Sequence, residues 1–204
     1  MDAMLGDSQA MLTVDHSNTK AVVAMVTVAA LLGAAEEMAQ LLEHFQPPDA
    51  WLWAAQVGQV PILVRLHSYG VALASENTYG QTAVPKAAKG NQPAALEWLL
   101  VQRVGPNTAD TNGRTPLHWA VEKNAVDCVT LLLAHGADPN KATNDGETPL
   151  HWAARDNAVD CLTVLLAHGA DPHIANKYRK TPLQIAHSTA AALLAAVIGI
   201  HFFC

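Results

Sequence analysis

The feature that constrains this chain most is a six-residue phrase that returns at a fixed step. TPLHWA begins at Thr115 and again at Thr148, and TPLQIA begins at Thr181, 33 residues apart each time. The flanks keep the step: AHGADPN starts at Ala134 and AHGADPH at Ala167. One step back from Thr115 lies Thr82 and the looser TAVPKAAKGN. Another step reaches Asp49 and DAWLWAAQVG, where Ala54, Ala55 and Gly58 hold their places. A recurrence of about 20–50 residues marks an array of like units, each too small to bury its own apolar side.

The residues inside one step say what the unit is. Thr115 suits a helix N-cap, and Pro116 suits the first helical position, where its missing N–H has no partner to lose. Leu117, Ala120 and Val121 give a short helix one apolar face. Asn124 then turns the chain. Gly58, Asn91 and Asn157 stand at the same position, and glycine and asparagine enter left-handed conformation at low cost. A second helix follows, expected to turn Val126, Val129, Leu132 and Leu133 inward. Gly136 ends it as a left-handed cap, and Asp138-Pro139 prevents continuation. Residues 140–146 are polar and turn-rich, an exposed connection. Three positions depart from the pattern: Arg103 replaces the cap glycine, Pro93 sits early in a second helix, and Ala190 replaces the turn asparagine.

Such units must stack, so the expected fold is all-α: an α-solenoid of helix pairs with short hairpin loops. Helix pairs are expected at about residues 20–45, 49–70, 82–103, 115–136, 148–169 and 181–201, one domain over 19–204. The first rests on Ala29, Ala30 and Gly33, which align with Ala54, Ala55 and Gly58 at an offset of 25 residues. Residues 1–18 show no periodicity and are expected to be a flexible segment.

TPLHWA, LL-AHGADPN and the 33-residue step resemble the ankyrin repeat, closely over residues 110–175 and loosely over 49–109. The resemblance implies a non-catalytic module that binds a protein partner through a concave face and loop tips. It also implies that His118 and His151 hydrogen-bond between repeat backbones. Carried onto this sequence, the contact positions of the family are Tyr79, Gln81 and Lys89, then Asn112, Arg114, Glu122 and Lys123. The next repeat supplies Asn144, Asp145, Glu147, Arg155 and Asp156, and the last Lys177, Tyr178, Arg179 and Lys180. The KYRK run gathers three cations round one tyrosine and suits an acidic partner.

Composition narrows the rivals. The net charge of −6 disfavours a general grip on nucleic acid, whose phosphates want a basic face. Three scattered cysteines make neither a disulfide framework nor a zinc site, and a reducing compartment, cytoplasmic or nuclear, is expected. The uncharged stretches 21–35 and 190–204 are 15 residues each, short of the ~18–20 of a membrane-spanning helix. The second of them still leaves a membrane contact open at the C-terminus. It also motivates an alternative: a regulatory segment of a larger enzyme or membrane-associated protein cut near residue 204.

No phosphate-binding, nucleophile-elbow or HExxH motif occurs, so no enzyme, cofactor or metal is expected, and the chain is expected to be monomeric. His118 and His151 lie one repeat apart, about 8–10 Å, with no further ligands evident for a shared zinc. Cys128 and Cys161 fall on second-helix apolar faces and read as buried filling. Trp53, Trp119 and Trp152 form a ladder that suits either inter-repeat packing or a binding stripe.

Overall fold

The computed structural model describes residues 50–68, 70–76 and 82–199. The segment 1–18, the helix pair expected at 20–45, Tyr79, Gln81 and Cys204 lie outside the described residues. Ten helices and no strand occur among those described, in five successive pairs. The pairs are α1 (Ala50–Val57) with α2 (Val60–Ser68), and α3 (Ala83–Lys89) with α4 (Pro93–Val101). Then come α5 (Pro116–Glu122) with α6 (Val126–Ala134), α7 (Pro149–Arg155) with α8 (Val159–Ala167), and α9 (Pro182–Ile185) with α10 (Ser188–Ile198). First helices α3, α5, α7 and α9 stack in one row, and second helices α2, α4, α6, α8 and α10 in another. This is the all-α solenoid the period implies.

Stacking is what makes these helices stable. At 7 and 9 residues, α5 and α6 are shorter than the roughly 12–15 at which isolated helices become even marginal in water. Their stability comes from burial. Leu96, Leu99, Leu117, Leu132, Leu150, Leu162 and Leu165 are all less than 2% exposed, each worth about 1.5–3 kcal/mol. Fully buried alanines at 87, 88, 120, 153 and 154 let the first helices approach closely.

The inward face of the second helix differs from the expected one. Ala125, Cys128, Val129, Leu132 and Leu133 are buried, while Val126 is only half-buried. The true face is i, i+3, i+4, i+7, i+8, which begins on the turn alanine; Val126, one residue on, is rotated about 100° away from it.

The turns between paired helices are left-handed at Gly58, Asn91, Asn124 and Asn157, with φ of 79°, 52°, 49° and 53°. The last pair departs from the expected register. There α9 ends after four residues, and the left-handed residue is Ser188 at φ 47°, two positions before Ala190. Ala190 lies buried inside α10 instead, its N–H donating to Asn157 Oδ1 at 3.0 Å. Arg103, in the place of the cap glycine, keeps the left-handed backbone at φ 61°. Pro93 is accommodated as the first residue of α4.

Candidate binding surface

The surface is built on three hairpin loops that precede α5, α7 and α9. In the first, Asp110 N–H donates to Arg114 O at 3.0 Å and Gly113 N–H to Asp110 O at 2.8 Å. The Asp110 side chain closes the turn, Oδ1 accepting from the N–H groups of Asn112 and Arg114. Asn176 Oδ1 does the same for Tyr178 and Lys180 in the third loop. Consecutive loops are then joined backbone to backbone: Asn144 N–H donates to Asn112 O, and Lys177 N–H to Asp145 O, both at 2.9 Å. The loop tips are therefore held by a ladder and are not independent.

A histidine under each joint locks it. His118 Nε2 stands 2.9 Å from Glu147 O, which only accepts, so Nε2 carries the proton. Nδ1 is then a lone pair, shared by the Thr115 N–H at 3.1 Å and the Thr115 hydroxyl at 2.9 Å. His151 repeats this with Thr148 and Lys180 O. Each ring thus takes the N3 place of a capping box while reaching into the next repeat. Burial lowers the His118 pKa from 6.5 to about 4, and burial lowers that of His151 too, so both imidazoles are held neutral. Gln184 takes the histidine position in the last repeat, its Oε1 accepting the Thr181 N–H at 3.0 Å.

The tryptophan ladder divides. Trp119 is 7% exposed and lies under two cations, Lys89 Nζ 4.3 Å and Arg114 Cζ 4.2 Å from its ring. Trp152 is half-buried, edge-on to His118 at 5.2 Å, with Nε1–H donating to Glu147 Oε2 at 2.8 Å. Trp53 is half-buried. The ring of Trp119 is therefore inter-repeat packing, and that of Trp152 braces the next repeat while keeping one edge in water.

This sorts the sequence-predicted contact residues. Arg114 is committed to Asp110 Oδ2 at 2.8 Å as well as to Trp119. Glu147 is shared by Trp152 and Arg155, and Arg155 also meets Asp156. Lys89, Arg114 and Glu147 are half-buried. Asn112, Glu122, Lys123, Asn144, Asp145, Arg155, Asp156, Lys177, Tyr178, Arg179 and Lys180 are exposed. Asn112, Asp145 and Tyr178 occupy one position in successive loops, and Tyr178 is 71% exposed.

Two other ladders went unread in the sequence. Asn107 and Asn140, also 33 residues apart, clasp the cap glycine of the following repeat. Their amide N–H groups donate to Gly136 O and Gly169 O, and their Oδ1 atoms accept from Asp138 N–H and Asp171 N–H. The signal was the final residue of ADPN. The second ladder joins the turn asparagines to buried thiols: Cys161 Sγ donates to Asn124 Oδ1 at 3.3 Å, and Cys128 Sγ lies 3.8 Å from Asn91 Oδ1. Burial pushes both thiols up to about 11, so neither is a nucleophile near neutrality.

Among the described residues no three His, Cys, Asp or Glu side chains converge on a metal position, and no helix is long and apolar enough to cross a membrane. What the arrangement offers is a rigid row of varied exposed side chains. The family model for ankyrin repeats (3 copies) matches residues 51–143, and that for ankyrin repeats (many copies) matches 132–186. No curated protein matches the chain significantly. Ankyrin repeats are in general protein–protein interaction modules. With its 33-residue period, its paired short helices and both family matches, the chain belongs to the ankyrin-repeat family.

Proposed function

We propose that this chain is a non-catalytic module that holds a protein partner on the concave face and loop tips of its stacked repeats. The observation that carries the reading is the backbone ladder from Asn112 O to Asn144 N–H and from Asp145 O to Lys177 N–H. It fixes the loops before a partner arrives, which reduces the ordering cost of binding. Specificity falls to the exposed members of the contact set, Asn112, Glu122, Lys123, Asn144, Asp145, Arg155, Asp156 and residues 177–180. Lys89, Arg114 and Glu147 brace them, and Tyr79 and Gln81, outside the described residues, complete the proposed set. The acidic balance supports a protein over a nucleic acid as partner. The unbridged Cys128 and Cys161 support a reducing compartment, cytoplasmic or nuclear, and the module acts as a monomer.

A second reading, a regulatory array within a longer enzyme or membrane-associated polypeptide, draws on α10, which exposes Val197 at 54% beside Ala192 and Ala196.

The test is affinity capture from native extract with the intact chain and with a Lys123→Glu, Asp145→Lys, Asp156→Lys variant. Arg114 is left alone because it braces Trp119. Loss of the captured protein at unchanged melting temperature supports this surface; undiminished capture contradicts it.

A further inference from the structure

Trp119 and Trp152 hold one position in adjacent repeats, yet only one of the two indole N–H groups has an acceptor. Trp152 Nε1–H donates to Glu147 Oε2 at 2.8 Å, and the same oxygen pairs with Arg155 Nη1 at 3.0 Å. One repeat earlier, Trp119 Nε1–H has no acceptor among the described residues. Its ring is buried, but the N–H edge is not sealed from water. The sequence gives the reason. Arg114 stands in the place of Glu147, and Glu122 in that of Arg155, so the carboxylate that serves Trp152 is a cation beside Trp119.

The charge around Trp119 is unbalanced as a result. Lys89 Nζ and Arg114 Cζ lie 4.3 and 4.2 Å from its ring. Asp110 Oδ2 takes the Arg114 Nε–H at 2.8 Å. Both Nη groups of Arg114, and Lys89 Nζ, have no acceptor among the described residues. Glu122 is turned to Lys123 Nζ at 3.1 Å. In the next repeat, by contrast, Glu147, Arg155 and Asp156 satisfy one another. Lys89 and Arg114 are half-buried, and cations partly withdrawn from water gain more from an opposite charge than fully exposed ones.

We infer that a Glu or Asp side chain of the partner protein seats at Trp119 and supplies the carboxylate this repeat lacks. One of its oxygens accepts from Trp119 Nε1–H, as Glu147 Oε2 does from Trp152. Arg114 and Lys89 hold its charge. The copy of the arrangement built into the next repeat is what selects a carboxylate as the occupant. The inference rests on the proposed binding surface and adds the chemistry of one anchor on it.

The experiment is an NMR titration of the full chain, isotope-labelled at its indole nitrogens, with N-acetyl-glutamate amide at constant ionic strength. The Trp119 resonance is identified as the one missing from Trp119→Phe. It should move downfield and saturate with a Kd on the order of 10 mM. The Trp152 resonance should stay in place, because its N–H is already taken. Lys89→Gln should weaken the binding about threefold or more at unchanged melting temperature. N-acetyl-glutamine amide, of the same shape but uncharged, should leave Trp119 where it was. A Trp119 N–H that does not respond overturns the inference. So does an equal response to the glutamine compound or to sulfate, which would show no choice of a carboxylate. Unchanged affinity in Lys89→Gln overturns it too. If the titration is flat while Lys123→Glu, Asp145→Lys, Asp156→Lys still abolishes partner capture, the broader binding surface stands and only this anchor is wrong.

Discussion

The thiol of Cys161 donates to Oδ1 of Asn124 at 3.3 Å, across the boundary between two repeats. Asn124 is also the residue whose left-handed backbone, φ 49°, turns the chain between α5 and α6. One side chain thus shapes its own repeat and anchors the next. Asn157 does the same with the Ala190 N–H at 3.0 Å.

Cys128 and Cys161 are 0% exposed and their pKa values sit near 11, raised first by burial. In a Cys204→Ser background, both should resist an aromatic disulfide reagent at pH 8 and react fully once the chain is unfolded in denaturant. Rapid labelling of either thiol in the native protein would contradict their placement between stacked second helices.

The neutral histidines make stability depend on pH. An unfolded chain takes up the His118 proton near pH 6.5, whereas the folded ring resists until about pH 4. The stabilisation from neutral His118 is therefore complete above pH 6.5 and is lost as pH falls toward 4, up to about 3 kcal/mol. His151 adds in the same direction. His118→Gln, the residue the chain itself uses at position 184, should cost about 1–2 kcal/mol at pH 7.5 but flatten the acid limb. Urea denaturation at pH 7.5, 6 and 5 checks both statements.

Arg103 holds a left-handed backbone that Gly136 and Gly169 adopt at the same position in later repeats. Arg103→Gly is expected to raise stability by about 1 kcal/mol. Gly136→Ala, where an added Cβ meets nothing within 4 Å, should lower it by a similar amount through backbone strain alone. Thermal melts of the two variants should move in opposite directions.

Gly90 is constrained by a neighbour, since a Cβ there would run into the Gln56 carbonyl. Its φ is an ordinary −78°. Gly90→Ala should destabilise by about 1–3 kcal/mol by forcing α1 away from the α3–α4 turn. The same change at Lys123, the exposed equivalent one repeat on, should be within about 0.5 kcal/mol.

The solenoid was readable because repeat identity, turn asparagines and cap glycines are local signals recurring at one spacing. What escaped reading depends on partners in another repeat. Nothing near Asn107 announces that its amide reaches Gly136, and nothing near Arg114 says that Trp119 will claim it. The spacing of Val126, Val129, Leu132 and Leu133 points Val126 inward, yet the register favours Ala125 and leaves the valine half-buried. In the last repeat, the one-turn α9 moved the left-handed residue to Ser188, a shift no spacing rule announces. That the proposed contact residues among those described fall at loop tips and at the ends of first helices could be read from the sequence. The division into exposed side chains and bracing ones could not, because Glu147, Arg155 and Trp152 form their network only once the repeats have stacked.

Equivalent loops succeed one another at a constant step along the stack. Spin labels at Asn112, Asp145 and Tyr178, taken pairwise in a Cys204→Ser background, measure that step by double electron–electron resonance. The 112–145 and 145–178 separations should match, each reflecting a backbone step of roughly 10 Å, and 112–178 should be close to their sum. A 112–178 distance no longer than a single step, or two unequal steps, would contradict the stack.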